Sequence, residues 1–224
     1  MTVISGTFRL PRAITRQMPD LAIPHAAESV AQDSDQELMR QTAAGDRTAF
    51  AALYQRHSPS VYRFARLMTG SGTAAEDVVQ DVFLVVMRDA SRFDPGRASL
   101  SSYLYGIARH HTRRRLLRQR RFVALEAGDP MHEATADTDP ASDAVRASEL
   151  RRLRRAIVAL PSRYREVLVM CDLQDVSYTD AASTLGCALG TIRSRLHRAR
   201  ELLKTKMRRA EQSTSVQRSI RCAV

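Results

Sequence analysis

Residues 78–86 read Val-Val-Gln-Asp-Val-Phe-Leu-Val-Val. Val78, Val79, Val82, Phe83 and Val86 fall at i, i+1, i+4, i+5 and i+8, one face of a helix and a poor match to the two-residue period of a strand. The same period returns along the chain. Leu100, Leu104, Ile107 and Ala108 share a face, as do Leu153, Ile157 and Leu160. Tyr164, Val167, Leu168 and Cys171 form another stripe, and Leu189, Ile192, Leu196, Ala199 and Leu203 a last one. No stretch alternates as a half-buried strand would, so the pattern predicts an all-α protein.

Caps and breakers divide these stripes. Ser34 or Asp35 can cap a helix carrying Leu38 and Met39 and closing near Gly45. Asp46 can cap the next, with Phe50, Leu53 and Tyr54 on one face. Pro59 suits the first turn of a separate helix through Tyr62, Ala65 and Arg66 to Gly70. Thr73 to Glu76, T-A-A-E, reads as a capping box for the valine helix. Asp94-Pro-Gly-Arg97 breaks the chain before a helix that runs into the basic stretch RRRLLRQRR. Between 122 and 148 the acids Glu126, Asp129, Glu133, Asp137, Asp139 and Asp143 face a single Arg146, with Gly128, Pro130 and Pro140 among them. That composition marks a flexible acidic linker. The predicted organisation is a disordered extension at 1–34, a helical domain at 35–121, the linker at 122–148, a second helical domain at 149–210 and a tail at 211–224.

Lys and Arg number 35 against 24 Asp and Glu, a net +11 with an isoelectric point near 10.5, which points to an anionic partner. Cys171, Cys187 and Cys222 have no CxxC spacing; they read as small buried hydrophobes in a reducing, cytoplasmic setting rather than as a disulfide or zinc framework. The longest purely apolar run, Val82 to Met87, is too short to cross a bilayer, so no membrane insertion is expected. His110 and His111 are adjacent and point about 100° apart on a helix, which prevents joint chelation of one metal. There is no Gly-rich phosphate loop and no nucleophile elbow. The chain is therefore expected to be no enzyme, with no catalytic residue, no metal and no cofactor.

The clearest candidate site is near the C-terminus. Ser177 caps a short helix, Tyr178 to Leu185; Gly186 turns the chain, and the basic helix GTIRSRLHRAR follows. This is a helix-turn-helix pattern, whose second helix enters the major groove with its N-terminal half. Thr191, Arg193, Ser194, His197 and Arg198 lie opposite or beside the apolar stripe, and Arg can fork onto guanine while Ser reaches bases or phosphate. A solvated basic helix in a protein without DNA is the competing reading of that helix alone.

The stretch ALPSRYREVLVMCDLQDVSYTDAASTLGCALGTIRSRLHRAR resembles region 4 of the sigma-70 family, in the form found in extracytoplasmic-function (ECF) sigma factors. Ala181 stands where the family usually has Ile. LuxR-type regulators share a similar helix-turn-helix. AGDRTAFAALYQRH, AEDVVQDVFLVVMRDASRFD and LSSYLYGIARH resemble region 2 of the same ECF group, which LuxR-type regulators lack. The two matches stand in the family's order on either side of the linker.

The resemblance implies a sigma factor that binds core RNA polymerase, through the largest-subunit clamp helices and the flap, and directs initiation at promoter DNA with −10 and −35 elements. It assigns Thr191, Arg193, Ser194, His197 and Arg198 to the −35 element. Asp77, Gln80, Asp81 and Arg88, off the valine stripe, would dock on the clamp. Arg97, Tyr103, Arg109, Arg113, Arg114 and Arg118 would serve the −10 region; the basic run neutralises phosphate, and the loop at Asp94 to Ser99 captures a flipped base. Leu100, Tyr103 and His110 stand at the family's Phe, Trp and Asn positions, and Arg114 replaces an acid. The resemblance also raises an anti-sigma partner and a linker that threads the polymerase near the path of nascent RNA. A LuxR-like regulator acting without core polymerase is the runner-up, and a basic scaffold or RNA-binding protein is a third reading.

Overall fold

The computed structural model describes residues 34–125 and 144–221, with side chains over 34–118 and 148–209. The expected N-terminal extension and the acidic part of the linker lie outside the described residues. Among the described residues every regular element is helical: α1 (Asp35–Ala43), α2 (Arg47–Thr69), α3 (Gly72–Asp89), α4 (Leu100–Leu125), α5 (Ala144–Val158), α6 (Ser162–Leu168), α7 (Tyr178–Leu185) and α8 (Leu189–Arg221). A 3₁₀ turn at Ala90–Arg92 follows α3, and a π-turn at Val169–Leu173 follows α6.

Local chemistry sets the helix ends. The Ser34 hydroxyl accepts from the Glu37 amide, and the Asp46 carboxylate from the Thr48 and Ala49 amides. Ser177 accepts from the Asp180 amide, and each such bond satisfies a donor that the first turn leaves without a partner. Gly70 and Gly186 end α2 and α7 in the left-handed region, at φ 79° and 64°, where a Cβ would be strained.

Three expectations are corrected. Pro59 does not start a new helix, because α2 continues through it for 23 residues. A mid-helix proline costs about 3 kcal/mol, but Leu53, His57, Val61, Phe64 and Met68 form one buried face across it. Burying several such side chains at roughly 1.5–3 kcal/mol each outweighs the break. The cap of α3 is Ser71, whose hydroxyl accepts from the Ala74 amide, and Thr73 already lies inside the helix. Finally, α4 runs on to Leu125, α5 begins at Ala144, and α8 extends to Arg221, so helix replaces both ends of the expected linker and most of the expected tail.

Helices α1–α4 pack around Phe64, Leu53, Met68, Val78, Val82 and Leu104, and α5–α8 around Ile157, Leu160, Leu168, Met170, Ile192 and Leu196, all at most 2% exposed. Tyr105, absent from the predicted inward face of α4, is 3% exposed, while Leu189, predicted inward on α8, is 38% exposed. The two groups are docked: α7 packs on α4, and α5 and α6 pack on α2. Their buried side chains join into one cluster.

Candidate nucleic-acid and polymerase interface

On α8 the stripe Ile192, Leu196, Ala199 and Leu203 is buried against α6 and α7. That rotation leaves Arg193, Ser194, His197 and Arg198 exposed and Thr191 half-buried. Among the described contacts none of the exposed arginines is held by a carboxylate. The helix is aimed from behind. Arg200 donates to Asp172 through Nε at 2.9 Å and Nη2 at 2.6 Å, a two-pronged pair that raises the guanidinium's pKa. Asp172 sits in the π-turn, where the Val176 amide reaches back to the Met170 carbonyl and Asp175 takes φ 52°. The widened turn places Asp172 on the same side as α8, the kind of local irregularity common at functional sites. Cys171 beside it is half-buried, and burial pushes its thiol up to about 12. Cys187 is also half-buried, with its sulfur 3.9 Å from Arg195 Nη1.

The first helical group carries the second candidate surface. Asp77, Gln80, Asp81, Leu84, Met87 and Arg88 line one face of α3. Gln80 and Arg88 are exposed, and Leu84 and Met87 are each 56% exposed. The sequence reading did not select Leu84 and Met87; their i+4 and i+7 register with Gln80 was the signal. Asp77 and Asp81 are not free. Arg115 donates to Asp77 at 2.7 Å and to Asp81 at 3.1 Å, and His111 Nδ1 lies 3.1 Å from Asp81. Burial works against the charge of Arg115, and the two carboxylates outweigh it. Arg115, expected among the phosphate-binding arginines, is thus turned toward α3. Arg88 pairs with its neighbour Asp89 at 3.0 Å.

On α4 the structure separates the expected −10 residues. Arg113, Arg114 and Arg118 are exposed, as is Arg97 in the turn before the helix. Tyr103 is half-buried with its ring 5.4 Å from that of Phe93, and burial raises its phenol pKa. Leu100 is buried and His110 exposed. Arg109 faces the second helical group. Its Nε donates to Glu166 at 3.0 Å, and its Nη1 approaches the Thr184 carbonyl at 3.5 Å. Nothing in the sequence pointed to Glu166, which is only 5% exposed and lies 57 residues away.

Among the described residues no group of three or more His, Cys, Asp or Glu could hold a metal ion, and no helix is long and apolar enough to cross a membrane. The surface consists of an exposed basic face on α8, a basic α4 and a mixed acidic and apolar α3 face.

Residues 53–122 match the family model for sigma-70 region 2, and residues 150–203 match that for sigma-70 region 4. The chain is 36% identical over 172 residues to the ECF RNA polymerase sigma factor SigM of Mycobacterium tuberculosis, covering 76% of this chain and 83% of that one. It is 30% identical over 178 residues to SigW of Bacillus subtilis, covering 76% of this chain and 95% of that protein. Among solved structures it is similar to the sigma factor RpoE of Bartonella quintana in complex with the anti-sigma factor NepR, with TM-score 0.61 and 27% identity over 71% of this chain and 96% of that one. CnrH in complex with the cytosolic domain of CnrY gives TM-score 0.58 and 29% identity over 77% of this chain and 96% of that one. Matches to both sigma regions, in order, and to relatives along most of their length settle the family: the chain belongs to the ECF sigma factors of the sigma-70 family.

Proposed function

We infer that this protein binds core RNA polymerase and directs it to promoters, α8 serving the −35 element and α4 the −10 region. The observation that carries this reading is the presence of region 2 and region 4 in one chain. A LuxR-like regulator needs only the second. The division of labour follows the helical groups: α1–α4 hold the polymerase and melted DNA, and α5–α8 hold duplex. On α8, Arg193 and Arg198 read base edges while Thr191, Ser194 and His197 fix register. On α4, Arg113, Arg114 and Arg118, with Arg97 before it, neutralise phosphates, each contact releasing counterions. Tyr103 offers a stacking face to an unpaired base, and Arg109 joins them once released from Glu166. On α3, Gln80 and Arg88 supply polar contacts to the clamp, and Leu84 and Met87 an apolar anchor between them. Asp77 and Asp81 reach the clamp through a face they share with Arg115.

The chain works as a polymerase subunit with no chemistry of its own, in the cytoplasm where the polymerase is. The RpoE and CnrH structures hold those proteins with NepR and with CnrY; an anti-sigma factor is accordingly a proposed partner here. Co-purification tests the reading. The immobilised protein retains core polymerase, and a Gln80→Arg, Met87→Lys variant loses roughly tenfold or more of that retention with unchanged circular dichroism. Retention of promoter duplex but not of core polymerase would favour the regulator.

A further inference from the structure

Helix α4 carries the basic run and also packs on α3. Ala108, His111, Thr112 and Arg115 fall at i, i+3, i+4 and i+7, one face of α4. Ala108 and Thr112 are fully buried, and His111 and Arg115 beside them reach the side chains of α3. Arg113, Arg114 and Arg118 on the same helix are exposed. On α3, Asp77 and Asp81 stand one turn apart, next to the exposed Gln80, Leu84 and Met87.

Two carboxylates at i and i+4 on a helix repel each other, and in water each turns freely. Here one guanidinium spans them. Arg115 donates through Nη1 to Asp77 Oδ2 at 2.7 Å and through Nη2 to Asp81 Oδ2 at 3.1 Å. His111 Nδ1 lies 3.1 Å from the same Asp81 oxygen. The planar fork of Arg reaches two acceptors at once, where the ammonium of Lys is a compact point charge. Every one of these contacts uses Oδ2. Among the described contacts the Oδ1 atoms of Asp77 and Asp81 have no partner, and the two side chains are 47% and 33% exposed. The carboxylates are thus held from behind, each with an acceptor left for something else. They outnumber the one guanidinium, and the imidazole can at most balance them, so the cluster does not suit phosphate.

We propose that Arg115 is a positioning residue for polymerase docking: its guanidinium bridges Asp77 and Asp81, with His111 as a second support for Asp81, and so presents their open Oδ1 atoms, one helical turn apart, to cationic side chains of the polymerase clamp. The proposal rests on the sigma-factor reading. Side chains ordered in the free protein need no ordering on binding, which favours the complex. Helix α4 then serves two surfaces, with Arg113, Arg114 and Arg118 facing outward and Arg115 and His111 behind the docking face of α3. The support is unequal. Asp77 depends on Arg115 alone, whereas Asp81 has His111 as well.

The test titrates the full chain and its variants with core polymerase in the absence of DNA, so that no phosphate contact contributes. Arg115→Gln is expected to weaken binding roughly three- to tenfold at unchanged circular dichroism, the scale of leaving side chains to be ordered on association. In an Asp77→Asn, Asp81→Asn background the same substitution should change affinity by less than about twofold, because no carboxylate is left to position. On Asp77→Asn alone it should lose most of its effect, and on Asp81→Asn alone it should keep most of it. If the Gln variant loses its helical signal, Arg115→Lys, which keeps the charge without the fork, takes its place in the same comparison. An effect that persists undiminished without the two carboxylates makes Arg115 a direct contact and overturns the proposal. An unchanged affinity overturns it by leaving only a structural ion pair, and a tighter complex by making Arg115 a mask over the acids. If the wild type retains no core polymerase at all, the sigma-factor reading fails and this proposal falls with it, a result distinct from the other three.

Discussion

At Asp35 a carboxylate meets a guanidinium and an imidazole: Arg56 donates at 2.7 Å, and His57 Nε2 lies at 3.1 Å. Burial alone would raise this carboxyl's pKa, but the hydrogen bond from Arg56 and the proximity of the His57 ring outweigh it and hold it below the ordinary value. A depressed folded-state value means the contribution to stability is complete above the unfolded pKa, near 3.8, and is lost as pH falls through the lower folded value. Asp35→Asn should cost about 1 kcal/mol at neutral pH, a modest figure because a third of the carboxylate stays in water. The gap between wild type and variant in urea titrations should close as pH falls through the depressed folded-state value. A gap that persists there would place the effect in packing. Residue-scale features of this kind were legible in the sequence only when short-range. Ser34, Asp46, Ser177 and Gly186 act on amides or carbonyls within a turn, and each was found at its expected place. The partners of Arg109 and Arg115 are 57 and 34–38 residues away, and only the tertiary fold brings them together.

Among the elements, α8 shows how the proposed recognition surface is supported. Its exposed arginines can be changed without touching the core, whereas Arg200 is tied to Asp172 in the π-turn. These two classes of residue should behave differently. Arg193→Ala and Arg198→Ala should each weaken use of a −35 element by about 1–3 kcal/mol at unchanged melting temperature. Asp172→Asn should lower stability by about 1–2 kcal/mol and weaken −35 use with it, because the helix loses its anchor. Thermal melts run beside transcription from promoters with and without a −35 element separate the two effects; a melting temperature that falls for Arg193→Ala would move that residue into the structural class. Charge reversal at Asp81 is a poorer probe of docking than its position off the valine stripe suggests. A guanidinium there would face Arg115 and His111. The apolar stripes marked which faces of α3 and α8 are buried, because a 3.6-residue period is local. They missed the continuity of α2 through Pro59, where long-range burial overrides a local breaker. They overcounted at Leu189, the first residue of α8, which shares the stripe's spacing but is 38% exposed.

At the scale of the molecule, family, helical class and both modules were legible, because each module carries its own dense pattern of apolar spacing, caps and basic residues. The relation between the modules was not. It depends on Glu166, Gln174, Arg165 and Asp180, side chains unremarkable in sequence whose role appears only when α4 is placed against α6 and α7. Region 2 and region 4 in one chain imply promoter-directed initiation that depends on core polymerase. Run-off transcription on promoter fragments, with core polymerase alone, the protein alone and the two together, tests this most directly. The account predicts transcripts from defined start sites only when both are present. Tight, specific promoter complexes formed by the free protein and unaffected by core polymerase, with no core-dependent transcript, would contradict it.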